Sequence, residues 1–247
     1  MRGTFVHGPI EWNIDLNGES WSQGALIQGK LVLKNKSSAP VSLEGAGVQL
    51  SYSEIKKIQS RDPKALKAVI AVDLDISTIN SGEEKTIPLK FKLADDCGVT
   101  DAKNSMYVAL GPQKSESQLQ VHVTPQKIFL EMIKLLETFQ RFKLKSFKSN
   151  KELVEFKLTP PSSRELVQVD HLLLSMRLAD RNLHMTFDFA MKTLDTQGVT
   201  NKVKKESKLM ELTLTPKEYS LGMDMINQDV MLQRLESVVK VVKGHFF

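Results

Sequence analysis

The sequence predicts an all-β protein of two β-sandwich domains joined by a short helix, with a further helix at the C-terminus. Period-two apolar runs recur along the chain with Gly, Pro and Asn turn signals between them, which is the pattern of a sandwich. Helical periodicity is confined to two stretches, one near the middle and one in the tail. The 247 residues suffice for two ordinary domains that bury their own cores. The middle helix divides them, so the expected domains are 1–125 and 126–247.

The elements follow in order. Ile10, Trp12, Ile14 and Leu16 alternate with Glu11, Asn13 and Asp15 as a half-buried strand, and Asn17-Gly18 turns it. Residues 21–35 read W-S-Q-G-A-L-I-Q-G-K-L-V-L-K-N. Leu31 and Leu33 alternate there with Lys30, Val32 and Lys34, and Gly29 inside the pattern signals a bulge, a bend or a close backbone approach. After Ser37-Ser38-Ala39-Pro40, Val41 and Leu43 begin another strand, and Val48, Leu50 and Tyr52 alternate again. Residues 54–67 are lysine-rich, hold Pro63 and predict a loop with room for a short helical piece. Residues 69–76 return to strand, with Val72, Leu74 and Ile76 on one face and Asp73 and Asp75 on the other. Ile87, Leu89, Phe91 and Leu93, then Met106, Val108 and Leu110, then Leu119, Val121 and Val123 supply three more strands.

The period changes at Thr124, which suits a helix cap, with Pro125 in the first helical position. Ile128, Met132, Leu135 and Leu136, with Phe129 and Ile133, form a helical stripe. Strands resume at Phe142 and Leu144, then at Val154, Phe156 and Leu158. The strongest hairpin signal is residues 166–178 answered by Leu183, Met185, Phe187, Phe189 and Met191 across Asp180-Arg181-Asn182. Residues 195–208, polar and lysine-rich, predict an exposed loop, and Met210, Leu212 and Leu214 a last strand. In the tail, Met231, Leu235, Val238, Val239 and Val242 recur at helical spacing between a capping Asn227 or Asp229 and Gly244. The four valines leave a strand over 238–242 as the alternative.

Hydrophobic residues make up 41% and charged residues 26%, as in a folded globular chain rather than a disordered one. The net charge of +5 lies wholly in the second half: residues 1–125 hold 14 cations and 14 anions, residues 126–247 hold 20 and 15. That bias falls short of a nucleic-acid-binding domain, and none is expected as a partner. Cys97 is the single cysteine, so no disulfide forms within the chain. The opening M-R-G-T-F-V-H-G-P-I-E-W lacks the apolar run of a signal peptide, and no later stretch approaches membrane-spanning length. The expected location is the cytoplasm.

Two sets of residues carry a family resemblance. Trp21-Ser22-Gln23-Gly24 followed by Gly29-Lys30-Leu31-Val32-Leu33 resembles the arrestin-type motif of an aromatic, Pro-Gly, and a Gly leading an alternating strand, here without its proline. Ile87-Pro88-Leu89-Lys90-Phe91 also resembles an arrestin-type strand. Glu152-Leu153-Val154-Glu155-Phe156-Lys157-Leu158-Thr159-Pro160 is similar to the Q-E-F-E-F-x-P element of the bacterial sporulation-control protein family, and Val167-Gln168-Val169-Asp170-His171-Leu172 to its following strand. The strand Leu183–Met191 falls where that family has its acidic E-x-D-R-R strand, of which only Asp188 is kept here. The resemblance implies that both sandwiches are arrestin-like and that the protein is a non-enzymatic regulator or adaptor in a bacterial cytoplasm.

No phosphate-binding, dinucleotide-binding, zinc-protease, dithiol or nucleophile-elbow motif is present, so no catalytic residue, cofactor or metal is assigned. His171 and His184 flank one hairpin, where with Asp170 they could approach a metal set, and they read as partly exposed hairpin histidines. Asp73 and Asp75 read as a solvated strand face rather than a carboxylate pair. Trp12 and Trp21 read as core or interface residues. As a stacking platform they would mark the rival function, a carbohydrate- or other ligand-binding sandwich with hydrolytic potential. Met176, Met185 and Met191 read as core filler.

The candidate binding residues form two groups. Arg141, Lys143 and Lys145 alternate with Phe142 and Leu144, with Lys148 and Lys151 close behind. They either guard an edge strand or dock an acidic protein surface or an anionic membrane. Leu235, Val238 and Val242 form the tail stripe, which needs an apolar surface on its own domain or on a second copy, making a homo-oligomer. The expected binding device is main-chain pairing at an open sheet edge, with a protein partner.

Overall fold

The computed structural model describes residues 1–62, 64–74, 76–112, 117–150, 152–195, 202–222 and 225–243. The chain divides into two compact units, Met1–Thr124 and Pro125–Phe247.

The first unit contains β1 (Arg2–His7), β2 (Ile10–Leu16), β3 (Ser20–Ser22), β4 (Leu26–Asn35), β5 (Val41–Ser42), β6 (Ala46–Glu54), α1 (Ile55–Gln59), β7 (Lys67–Asp73), β8 (Thr78–Ile79), β9 (Glu84–Lys92), β10 (Asn104–Pro112) and β11 (Gln118–Thr124). One sheet has the order β1-β2-β4-β9, the other β3-β11-β10-β6-β7, and β5 pairs with β8. Their apolar faces meet in one core. Trp12, Ile14, Leu31, Leu33 and Phe91 of the first sheet and Val48, Leu50, Val108, Val121 and Val123 of the second are all buried there. Each such side chain contributes about 1.5–3 kcal/mol on leaving water.

Residues 21–35 are not one strand. β3 stops at Ser22 and β4 starts at Leu26, and the two belong to different sheets. Gly24 makes the sharp turn between them with φ +76°, where a Cβ would lie 2.2 Å from Asp95 Oδ1. Asn35 closes the other end of β4 from a fully buried position. Its Nδ2 donates to the carbonyls of Ala39 (2.8 Å) and Ile79 (3.1 Å), and its Oδ1 accepts from Ser37. β1 carries no alternating apolar run: Phe5 is the only large apolar residue on its half-buried face, so the sequence pattern does not mark it as a strand. β7 ends at Asp73, so Leu74 and Ile76 do not continue the strand, and Asp75 lies outside the described residues.

The second unit contains α2 (Lys127–Thr138), β12 (Lys143–Asn150), β13 (Leu153–Thr159), β14 (Val169–Ala179), β15 (Asn182–Asp195), β16 (Lys202–Leu214), α3 (Pro216–Tyr219), β17 (Ser220–Gly222), β18 (Met225–Ile226) and α4 (Gln228–Lys240). Strands β12 to β16 form an antiparallel sheet in sequence order, and β17 pairs with β18. The β14–β15 turn is two residues long. Asp180 and Arg181 have φ of +50° and +63°, which matches the right-handed twist of the flanking strands.

Helix α2 begins later than expected, with Gln126 at its N-cap. Thr124 ends β11 instead, and its hydroxyl donates to the Trp21 carbonyl (3.4 Å). The expected loop at 195–208 is in large part strand: residues 202–208 belong to β16, while 196–201 lie outside the described residues. Pairing with β15 along its whole length holds a polar sequence extended there. The tail is helical, with Asn227 Oδ1 accepting from the Val230 N–H (3.4 Å), so the strand alternative at 238–242 fails. Gly244 lies outside the described residues.

Candidate functional site

Tail residues Leu235, Val238 and Val242 are 0%, 3% and 5% exposed, so they cannot serve as a surface for a partner. Their expected role as binding residues is corrected to that of core residues. Helix α4 contacts α2 and α3, and Lys208 Nζ of β16 donates to the Val241 carbonyl (2.9 Å).

The basic group is rearranged as well. Arg141 precedes the strand in a left-handed conformation (φ +57°), so it does not share an alternating face with Lys143. A bulge between Leu144 and Ser146 breaks the alternation at Lys145. Phe142 is buried, while Lys143, Lys145 and Lys148 remain exposed along β12, a terminal strand of its sheet. Lys148 is bonded to Glu155 (2.7 Å), and Lys151 lies outside the described residues.

The histidines do not converge. His171 pairs in register with Ala190 and His184 with Arg177, which sets them six positions apart along the hairpin. His184 bonds Thr213 Oγ1 (3.1 Å), and His171 bonds Asp170 (2.9 Å). Asp170 also accepts from Lys192. The Lys192 ammonium, then His171, hold the Asp170 carboxyl down at about 2. These two groups border a cleft of about 500 Å³ with Pro160, Pro161, Arg164 and Val167. Among the described residues no group of carboxylates, histidines and thiols is arranged to hold a metal. Cys97 is buried, and burial pushes its thiol up to about 11, away from the reactive thiolate. Trp12 and Trp21 are 1% and 7% exposed, which removes the stacking platform of the carbohydrate-binding rival.

The sheet edges differ in how they are guarded. β9 carries Pro88 and exposed Lys90 and Lys92, and β12 carries its lysines and a bulge. β16 carries exposed Lys205 and Lys208, β3 is only 3 residues long, and β1 begins with exposed Arg2. Prolines, lysines, bulges and shortness all oppose edge-to-edge pairing. β7 is guarded differently, with a register shift at Val69 as its only interruption. It is terminal in its sheet, and between Lys67 and Asp73 it reads A-V-I-A-V, without charge, glycine or proline.

Val69 of β7 is 53% exposed, and a register shift leaves it without a partner on β6, while Ile70 to Asp73 pair regularly with Leu50 to Gly47. Beside this edge the sheet surface is low. Gly111, Gly47 and Asp73 form one cross-strand row and Ala109, Gln49 and Ala71 the next, lining a hollow of about 50 Å³. The sequence showed a strand at 69–76 but not its place at an edge. The available signal was a strand with five consecutive small or branched apolar residues and no polar face.

No family model matches the chain, and no curated protein matches it. Among solved structures, the sporulation control protein Spo0M from Bacillus subtilis superposes with a TM-score of 0.67, covering 96% of this chain and all of that one at 17% identity. A DNA glycosylase, AlkC of Pseudomonas fluorescens (TM-score 0.32, 10% identity), covers 47% of this chain and 30% of its own. A β-glucosidase from Listeria innocua (0.29, 12% identity) covers 46% and 16%. No helix is long and apolar enough to cross a membrane among the described residues. Over nearly its whole length the chain therefore carries the fold of the sporulation control protein, and it divides into two β-rich units.

Proposed function

We propose that this is a non-enzymatic, cytoplasmic regulatory or adaptor protein that acts by protein–protein contact, through main-chain pairing at the open β7 edge. The observation that carries the reading is the β7 edge beside its hollow: seven residues of strand with an uncharged interior, an exposed valine and a low neighbouring surface. Such an edge offers unpaired N–H and C=O groups to a second extended strand, and the low surface beside it gives side chains of that strand a place to pack. The fold-wide likeness to a sporulation control protein supports a regulatory role. An unpaired, buried thiol suits a reducing compartment.

A photocrosslinking amino acid placed at Val69, with a control at Lys90 on the guarded β9 edge, tests it in cells of a bacterial host. A discrete protein adduct at position 69 and none at 90 is expected. Equal labelling at both positions, or none at 69, refutes the reading.

A further inference from the structure

We infer that the cleft between the loop 160–167 and the start of β14 is a binding site for a small organic carboxylate with an apolar body, held by the Arg164 guanidinium. The cleft lies wholly in the second unit and is independent of the β7 edge.

The cleft exists because two neighbouring strands part. β13 pairs with β14 only as far as Leu158 with Leu172, while β14 runs back to Val169 in pairing with β15. Pro160 and Pro161 follow β13 at once, and neither has an N–H to extend the ladder. The chain swings out through a short helical turn at Arg164–Leu166 and returns as β14 at Val169. Leu166 and Val169 are buried and anchor the return. The space left open is about 500 Å³, a size within the range of roughly 300–1,000 Å³ for ligand pockets.

Its charges select the ligand. Asp170 is the extra residue of a bulge in β14, and its carboxylate accepts from Lys192 and His171. Asp170 and Lys192 thus compensate each other. Glu165, next to Arg164 in the chain, is taken by Lys243 (2.9 Å). Arg164 lines the cleft and makes no side-chain ion pair or hydrogen bond among the described residues. One uncompensated cation with a flat, two-pronged donor face suits one carboxylate. A dianion such as phosphate brings a second negative charge towards Asp170. The other walls are apolar: Pro160, Pro161 and Val167, the last 69% exposed. They give a hydrocarbon or aromatic body a surface on which to leave water. An extended peptide fits less well. β14 passes the end of β13 by only the residues 169–171, and the proline wall donates nothing, so few main-chain bonds can form.

The test is a titration of the isotope-labelled full chain, followed by its amide NMR signals, with benzoate, 4-phenylbutyrate and hexanoate, each beside its own primary amide. The acids are expected to give saturable shifts at Ser163, Arg164, Val167, Asp170 and Lys192 and to bind about tenfold or more tightly than the amides. Arg164→Gln, at an exposed site that leaves the fold intact by circular dichroism, is expected to erase that preference. Arg164→Lys keeps the charge without the fork and is expected to recover only part of it. No saturable shift with any acid, equal binding of acids and amides, shifts confined to other residues, or an Arg164→Gln chain that binds like the wild type overturns the inference. A peptide capped at both ends and carrying one glutamate is the last arm. If it binds more tightly than every acid, the assignment to a small molecule is overturned.

Discussion

Gly29 lies across from Leu16 so closely that a Cβ on it would sit 2.3 Å from the Asp15 carbonyl oxygen and 2.9 Å from Leu16 Cα. The atoms in the way are backbone, held in a paired strand, so they cannot swing aside. Gly29→Ala is expected to destabilise the first unit by about 2 kcal/mol or more, as overpacking a tight site does. Urea unfolding followed by tryptophan fluorescence would report it, since Trp12 and Trp21 both lie in that unit's core. An unchanged midpoint would show that the β2–β4 pair yields.

Leu235 is fully buried in α4 beside Met231 and Val239. Leu235→Ala is expected to cost about 3 kcal/mol through lost transfer energy and the cavity left behind. Truncation after Gln228 removes the whole stripe and is expected to leave the second unit partly unfolded. Differential scanning calorimetry would resolve the loss. A truncated chain melting like the wild type would mean that the stripe contributes nothing.

The Asp170 carboxyl titrates at about 2 rather than its ordinary 3.8, because Lys192 and His171 favour its charged form. A depressed folded value stabilises the fold above the unfolded value and loses that contribution as pH falls through the folded one. The effect is therefore complete above about pH 4 and fades towards pH 2. Asp170→Asn is expected to flatten the acid limb of the stability curve in that window and leave the slope near neutrality unchanged. Acid unfolding monitored by circular dichroism distinguishes the two curves.

Lys143, Lys145 and Lys148 are exposed on the terminal strand β12, the placement expected of edge guards. Lys143→Thr/Lys145→Thr is expected to promote aggregation relative to the wild type, seen by light scattering. Lys143→Glu/Lys145→Glu, which keeps the edge charged, is expected to stay soluble. If the lysines instead dock an anionic surface, the glutamate variant loses vesicle binding that the wild type shows at low salt and gives up at moderate salt. Binding that survives both the reversal and the salt excludes that role.

Alternation alone placed most of the strands. Ile10 to Leu16, Ile87 to Leu93 and Leu183 to Met191 each show the period-two burial expected of a sheet with one face in a core. The tail stripe was legible for the same reason at the helical period, including its Asn227 cap. Strands with little apolar burial escaped. β1 has no fully buried residue and only Phe5 as a large apolar side chain on its half-buried face, and the part of β16 read as loop is polar because its residues 205–208 face solvent. Hydrophobic pattern reports burial, and backbone pairing without burial leaves no trace in it.

The candidate site divides along the same line. The run from Lys67 to Asp73 and its lack of charge are properties of the sequence by itself, as are the lysines of β12 and the helical spacing of Leu235 and Val238. Whether a strand is central or terminal depends on which strands pair across long separations, such as Gly47 with Gly111. The same holds for whether a helical stripe faces a partner or its own core. Only the tertiary structure decided that β7 is an edge, that Arg141 leaves the basic strand and that the tail stripe is buried. Local sequence sets which face of an element is apolar, and long-range packing sets what that face meets.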